Sequence, residues 1–175
     1  MLFRSVPTAD AQDLLRLVAR RPDATEIFEA AGRRLARLSF EDRNALYRWG
    51  LRLRSRAGRV RAALRHVRAR GPALWGTPRV RVAAEPPGLE AYGALGAAVP
   101  DGRACAVYDA FLEETFRRFT GTEWRARHDA CEARRDARCA WTLRRAAPSH
   151  PSTGDATPRV HDTDPPAHRR RTGLP

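Results

Sequence analysis

Four side chains in this sequence have the chemistry of metal ligands. His128, Cys131 and Cys139 fall within the stretch RHDACEARRDARCAWTL, residues 127–143, and Cys105 is the one other cysteine in the chain. Thiolate sulfur and neutral imidazole nitrogen are donors that zinc prefers, and four of them complete a tetrahedron. The pattern His-x2-Cys-x7-Cys is not a zinc-finger spacing, and the fourth donor lies far upstream. Two other readings stand beside the metal. Cys131 and Cys139 can meet across a hairpin as a disulfide, or both can be small apolar strand residues with an exposed histidine nearby. The N-terminus lacks the basic start and apolar run of a signal peptide, so a cytoplasmic location is expected, and thiols persist there.

The elements that must bring these residues together can be read from periodicity. Residues 103–119, RACAVYDAFLEETFRRF, carry one wide apolar stripe that includes Val107, Tyr108, Phe111, Phe116 and Phe119. This is a core helix with Cys105 in its first turn. Gly121 closes it, just beyond Arg117 and Arg118, which suit the negative end of a helix dipole. TEWRARHDAC and RCAWTL then read as two strands, with EARRDA as the hairpin connection. Folding the strands together brings Cys131 near Cys139. A helix packed on that hairpin presents Cys105 from above.

Upstream the pattern is helical. Residues 8–20 form a short helix, and Pro22-Asp23 starts another in which Ile27, Ala30, Ala31, Leu35 and Leu38 form the apolar face. Gly32 inside it marks close packing on another element. Residues 41–70 are helical in two pieces, broken near Gly50 or Gly58 and ended by Gly71-Pro72. Residues 79–85, RVRVAAE, alternate as a strand, and Pro86-Pro87-Gly88 is a turn. The fold class is α+β: several N-terminal helices packed on a small antiparallel sheet, with a long core helix before a C-terminal hairpin. Residues 1–145 form the domain. Residues 146–175 are rich in Pro, Ser, Thr and Gly and poor in apolar residues, the composition of a disordered tail.

The formal net charge is +13, and all 33 basic residues are Arg. That bias is the mark of a high-GC genome, which weakens charge as evidence for nucleic-acid binding. Between Asp42 and Glu85, twelve arginines stand without one acidic residue. Such a stripe can meet phosphates or an acidic partner, or simply be a solvated face. His66 in this Arg-rich helix reads as exposed. Apolar runs are too short to span a bilayer, and no membrane partner is expected.

The stretch from Cys105 to Leu143, CAVYDAFLEETFRRFTGTEWRARHDACEARRDARCAWTL, resembles the end of a V4R (4-vinyl reductase) domain. That family closes with a cysteine, an aromatic-bearing helix and a hairpin patterned Cys-x7-Cys. The helix EIFEAAGRRLARL is also similar to the family's early helix, although a later glycine is missing. The resemblance implies a fold like a subunit of the vesicle-tethering TRAPP complex, and binding of hydrophobic or aromatic small molecules, as in bacterial activators that sense phenol or toluene. It also implies a structural zinc held by three cysteines and an acidic residue. Cys105, Cys131 and Cys139 match those cysteines. His128 stands at the acidic position, exchanging one competent ligand for another.

For a bound small molecule, Trp75, Tyr92 and Tyr108 are the candidate pocket residues, the first two because they flank the first strand in loops. There is no nucleophile elbow, phosphate-binding glycine loop or carboxylate pair with an obvious pocket, so an enzyme is not favoured. The leading expectation is a stand-alone ligand-binding or regulatory domain acting through a protein partner or as a homodimer. The alternatives are a basic nucleic-acid-binding protein and an accessory factor in tetrapyrrole (bacteriochlorophyll) synthesis.

Overall fold

The computed structural model describes residues 7–147. The tail expected from residue 146 onward lies outside the described residues, apart from its first two. The described residues form an α+β fold of helices α1 (Thr8–Ala19), α2 (Ala24–Glu41), α3 (Ala45–Arg52), α4 (Arg56–Trp75) and α5 (Ala106–Thr120), and strands β1 (Val80–Ala84), β2 (Pro87–Ala91), β3 (Trp124–Ala130) and β4 (Cys139–Arg145). The strands make one antiparallel sheet in the order β1-β2-β4-β3.

Helix α5 is the centre of the core. Phe111, Leu112, Phe116 and Phe119 are all buried on it. Gly121 ends it in the left-handed conformation, its N–H donating to the Arg117 carbonyl. Helix α2 lies directly on α5, so close that a Cβ at Gly32 would collide with the Val107 carbonyl oxygen. That approach decides which face of α2 turns inward. The buried stripe is Ala24, Phe28, Gly32 and Ala36, mostly small residues four apart. The sequence reading placed Leu35 and Leu38 inward; both are exposed, because large side chains would hold the two backbones apart.

Three other expectations change. The break between α3 and α4 falls at residues 53–55, where the Ser55 hydroxyl accepts from the Gly58 N–H and caps α4, rather than at Gly50 or Gly58 themselves. Gly71-Pro72 does not end α4. The helix runs one turn further and buries Trp75 completely, which offsets the cost of an internal proline. Pro87 and Gly88 are not a turn but the start of β2. Gly88 pairs with Thr142, where a Cβ would stand 2.8 Å from the Trp141 carbonyl oxygen, so only glycine lets the strands meet.

His66 is buried, not exposed, between α4, α2 and α5. Its Nε2 lies 3.0 Å from the Ser39 hydroxyl and its Nδ1 3.1 Å from an Arg43 guanidinium nitrogen. The ring packs at 5.1 Å from that of Phe119.

Candidate metal centre

The centre is built where the start of α5 meets the β3–β4 hairpin. Cys105 occupies the N-cap position of α5, at the end of a short 3-10 segment, Pro100–Cys105. Cys139 is the first residue of β4, opposite Ala91 of β2. His128 lies on β3 opposite Trp141. Cys131 follows the strand with extended backbone, before the 3-10 turn Glu132–Arg134.

In a regular strand, residues three apart point to opposite faces, so His128 and Cys131 should part company. They do not, because the pairing shifts between His128 and Ala130. The bulge adds one residue to β3 and returns Cys131 to the side of His128. The ligand atoms of Cys105, His128, Cys131 and Cys139 then all lie within 4.8 Å of one another. Cys105 Sγ and Cys131 Sγ are 3.9 Å apart, and all three thiols are buried and free.

Neighbours fix these ligands in place. The His128 ring stacks on Trp141 with centroids 4.5 Å apart and planes 5° from parallel. Trp141 in turn donates from Nε1 to Asp109 Oδ1 of α5 at 2.6 Å. The Glu132 carboxylate accepts from the N–H groups of Gly93 and Ala94, and the Glu132 N–H points at Cys139 Sγ at 3.5 Å. The Cys131 N–H donates to Asp136 at 2.7 Å. Gly102, with φ +74°, passes so close that a Cβ there would stand 2.7 Å from Cys131 Sγ. Sequence reasoning missed Trp141, Asp109 and Glu132. Trp141 was within reach, since it sits two residues after Cys139 and so on the same face of β4.

The electrostatics favour a cation. The hydrogen bond shared with Cys139 pushes the Cys105 thiol up and, with burial, keeps it protonated. Burial likewise raises Cys131. The Cys105 thiol beside it, with the His128 ring nearby, pulls Cys139 down against the effect of burial, so a negative charge in the cluster settles there first. Three buried thiolates this close repel one another, and a divalent cation removes that repulsion. His128 Nε2 is buried with no hydrogen-bond partner, which in a closed interior costs about 1–3 kcal/mol. An unpartnered imidazole nitrogen beside three buried thiols fits a metal ion. A four-coordinate ion would use all four donors and leave no position for water, which is the arrangement of a structural site.

The candidate pocket residues are placed differently from the sequence reading. Trp75 ends α4 rather than lying in a loop, and it is wholly buried. It stacks on Tyr108 with centroids 4.9 Å apart, and both rings meet Trp141 edge to face. The Tyr108 hydroxyl accepts from the Gly96 N–H. Tyr92 follows β2, half-buried, with the Arg81 guanidinium over its ring. Trp75 and Tyr108 are therefore packed against each other, and Tyr92 lies at the end of the sheet.

In its chemistry, then, this is an α+β protein with a buried Cys3His group able to hold a metal ion. No family model matches the chain, and no curated protein matches it.

Proposed function

We propose that this is a regulatory, small-molecule-binding domain of the V4R type, with zinc as a structural ion at Cys105, His128, Cys131 and Cys139. The observation that carries this reading is the convergence of three buried thiols and a half-buried histidine from a helix and a hairpin, in the order and spacing that the resemblance implies. The ion would tie the start of α5 to β3 and β4, and so fix the helix that organises the core. The centre would hold the fold rather than turn over a substrate, because no ligand position is left open. The domain would act in the cytoplasm and pass its signal to a protein partner.

One atom supports the small-molecule part. Trp75 Nε1 is buried with no hydrogen-bond partner, deep in the aromatic cluster of Tyr108, Phe111 and Trp141. A hydrophobic ligand with one acceptor would satisfy it, provided that it parts Trp75 from the Tyr108 ring stacked 4.9 Å away.

Metal analysis of purified protein tests the first part, with one zinc per chain expected. Zinc competition titrations on His128 variants test the ligand set. His128→Ala should bind zinc more weakly, His128→Glu should recover much of the loss, and His128→Gln less. Equal affinity for the wild type and His128→Ala would remove the histidine from the site. Mass spectrometry for a co-purified aromatic compound, absent from Trp75→Phe, tests the small-molecule part.

A further inference from the structure

Helix α3 is apolar on two opposite faces. Leu51 is buried and Tyr47 half-buried, and these hold the helix to the core. Leu46, Trp49 and Leu53 form the other face, at i, i+3 and i+7, and they are 75%, 59% and 70% exposed. The helix is well formed: the Asn44 side chain caps it by accepting from the Tyr47 N–H at 2.7 Å. A lone exposed leucine needs no explanation, but three large apolar side chains side by side on one short helix do.

The surroundings of this face select what would cover it. Arg48 and Arg52 belong to the helix, Arg54 and Arg56 follow it, and no acidic residue occurs from Arg43 to Ala84. A second copy of the chain would set two such basic regions against each other. Nucleic acid would match the charge but offers little to leucine side chains that carry no stacking plane. An anionic lipid surface matches both features. Its headgroups take the arginines, while the leucines and the indole reach the boundary of the acyl chains. Tryptophan favours that depth, because its ring is apolar and its N–H stays hydrated.

We propose that the outward face of α3, Leu46, Trp49 and Leu53 with the exposed Arg52 and Arg54 flanking Leu53, is a docking surface for anionic lipid bilayers. This is adsorption to a surface, without a spanning segment. Among the described residues no helix is long and apolar enough to cross a membrane. The inference is independent of the metal centre.

The protein carries its own reporter. Of its four tryptophans, Trp75, Trp124 and Trp141 are buried, and only Trp49 is exposed. Full-length protein is titrated with vesicles of phosphatidylcholine alone and of phosphatidylcholine mixed with phosphatidylglycerol. With the anionic vesicles, Trp49 emission should move to the blue and become shielded from acrylamide, and the protein should co-sediment. Added salt should weaken binding. Leu46→Ser with Leu53→Ser should lower the partition coefficient about tenfold or more, and Arg52→Glu with Arg54→Glu by a similar factor. These residues lie on the surface, and circular dichroism of each variant checks that the fold is retained.

Four results would overturn the proposal. One is anionic vesicles leaving Trp49 emission unchanged. Another is equal binding to neutral vesicles, which would remove the role of charge. A third is Trp49 already blue and shielded in lipid-free protein, which would mean that the face is covered. The last is tighter binding to duplex DNA or an acidic polypeptide, with the same leucine dependence, which would assign the face to that partner.

Discussion

His66 and His128 are both largely withdrawn from water, and their surroundings give them opposite roles. His66 sits between helices and has a partner at each ring nitrogen. The Ser39 hydroxyl donates to the Ala36 carbonyl and so accepts from His66 Nε2; Arg43 donates to Nδ1. That network assigns a neutral ring protonated at Nε2. Nothing is left over for a ligand. His128 sits at the sheet corner with its Nε2 unpartnered and three thiols within reach. The difference teaches that burial alone does not mark a metal-binding histidine. A ring nitrogen left without a hydrogen bond, in a place where three thiols converge, makes His128 the candidate.

Breaking the His128 side should have the largest effect. Cys139→Ala removes a donor from the centre and should cost about 5 kcal/mol or more in metal-loaded protein, with loss of bound metal. Chelation of the wild type should lower the thermal midpoint in the same way and should add little further loss in the variant. On the His66 side, His66→Ala should cost about 2–4 kcal/mol, from the cavity and from the broken bonds to Ser39 and Arg43. Metal content should be unchanged. Loss of metal in His66→Ala would show that the two regions are coupled.

Acid separates the two histidines further. Burial, with the nearby charges of Arg43 and Arg70, pushes His66 down to about 4 from its ordinary 6.5. The unfolded chain therefore takes up a proton below pH 6.5, while the folded protein does not until about pH 4. Stability from this group is complete above 6.5 and falls as pH drops, by up to about 1.4 kcal/mol per pH unit and about 3 kcal/mol in all. Denaturant titrations across that window should show a steeper decline in the wild type than in His66→Phe. Parallel lines would mean that His66 is not held neutral. The smallest change is Ser39→Ala, which removes one partner of His66 and should cost about 1 kcal/mol, with no change in metal affinity.

The cluster of candidate donors was legible in the sequence because cysteine is rare in this chain and three of the four lie within one hairpin. The α+β class and α5 were legible because their periodicity is strong. What could not be read was set by tertiary contacts. The inward face of α2 follows the Gly32 approach to Val107, against the larger leucines. Strand β2 begins with Pro87-Gly88, residues that usually punctuate a chain, and pairs only because β4 lies beside it. His66 looked like one more polar residue on an arginine-rich helix until Ser39, Arg43 and Phe119 closed around it. Leu46, Trp49 and Leu53 posed the reverse difficulty. Their spacing resembles a core stripe, yet the other side of α3 faces the core.

The irregularity between His128 and Ala130 also carries a lesson in parity. On an unbroken strand, two ligands to one ion must be separated by an even count, as in His-x-Cys or His-x3-Cys. An odd separation such as His-x2-Cys records one inserted residue. The same corner in another chain could therefore present itself with a gap one residue shorter or longer and still bring the same donors together. A pattern written with a fixed gap would pass over it, whereas a pattern that pairs each gap with the presence or absence of the inserted residue would find both.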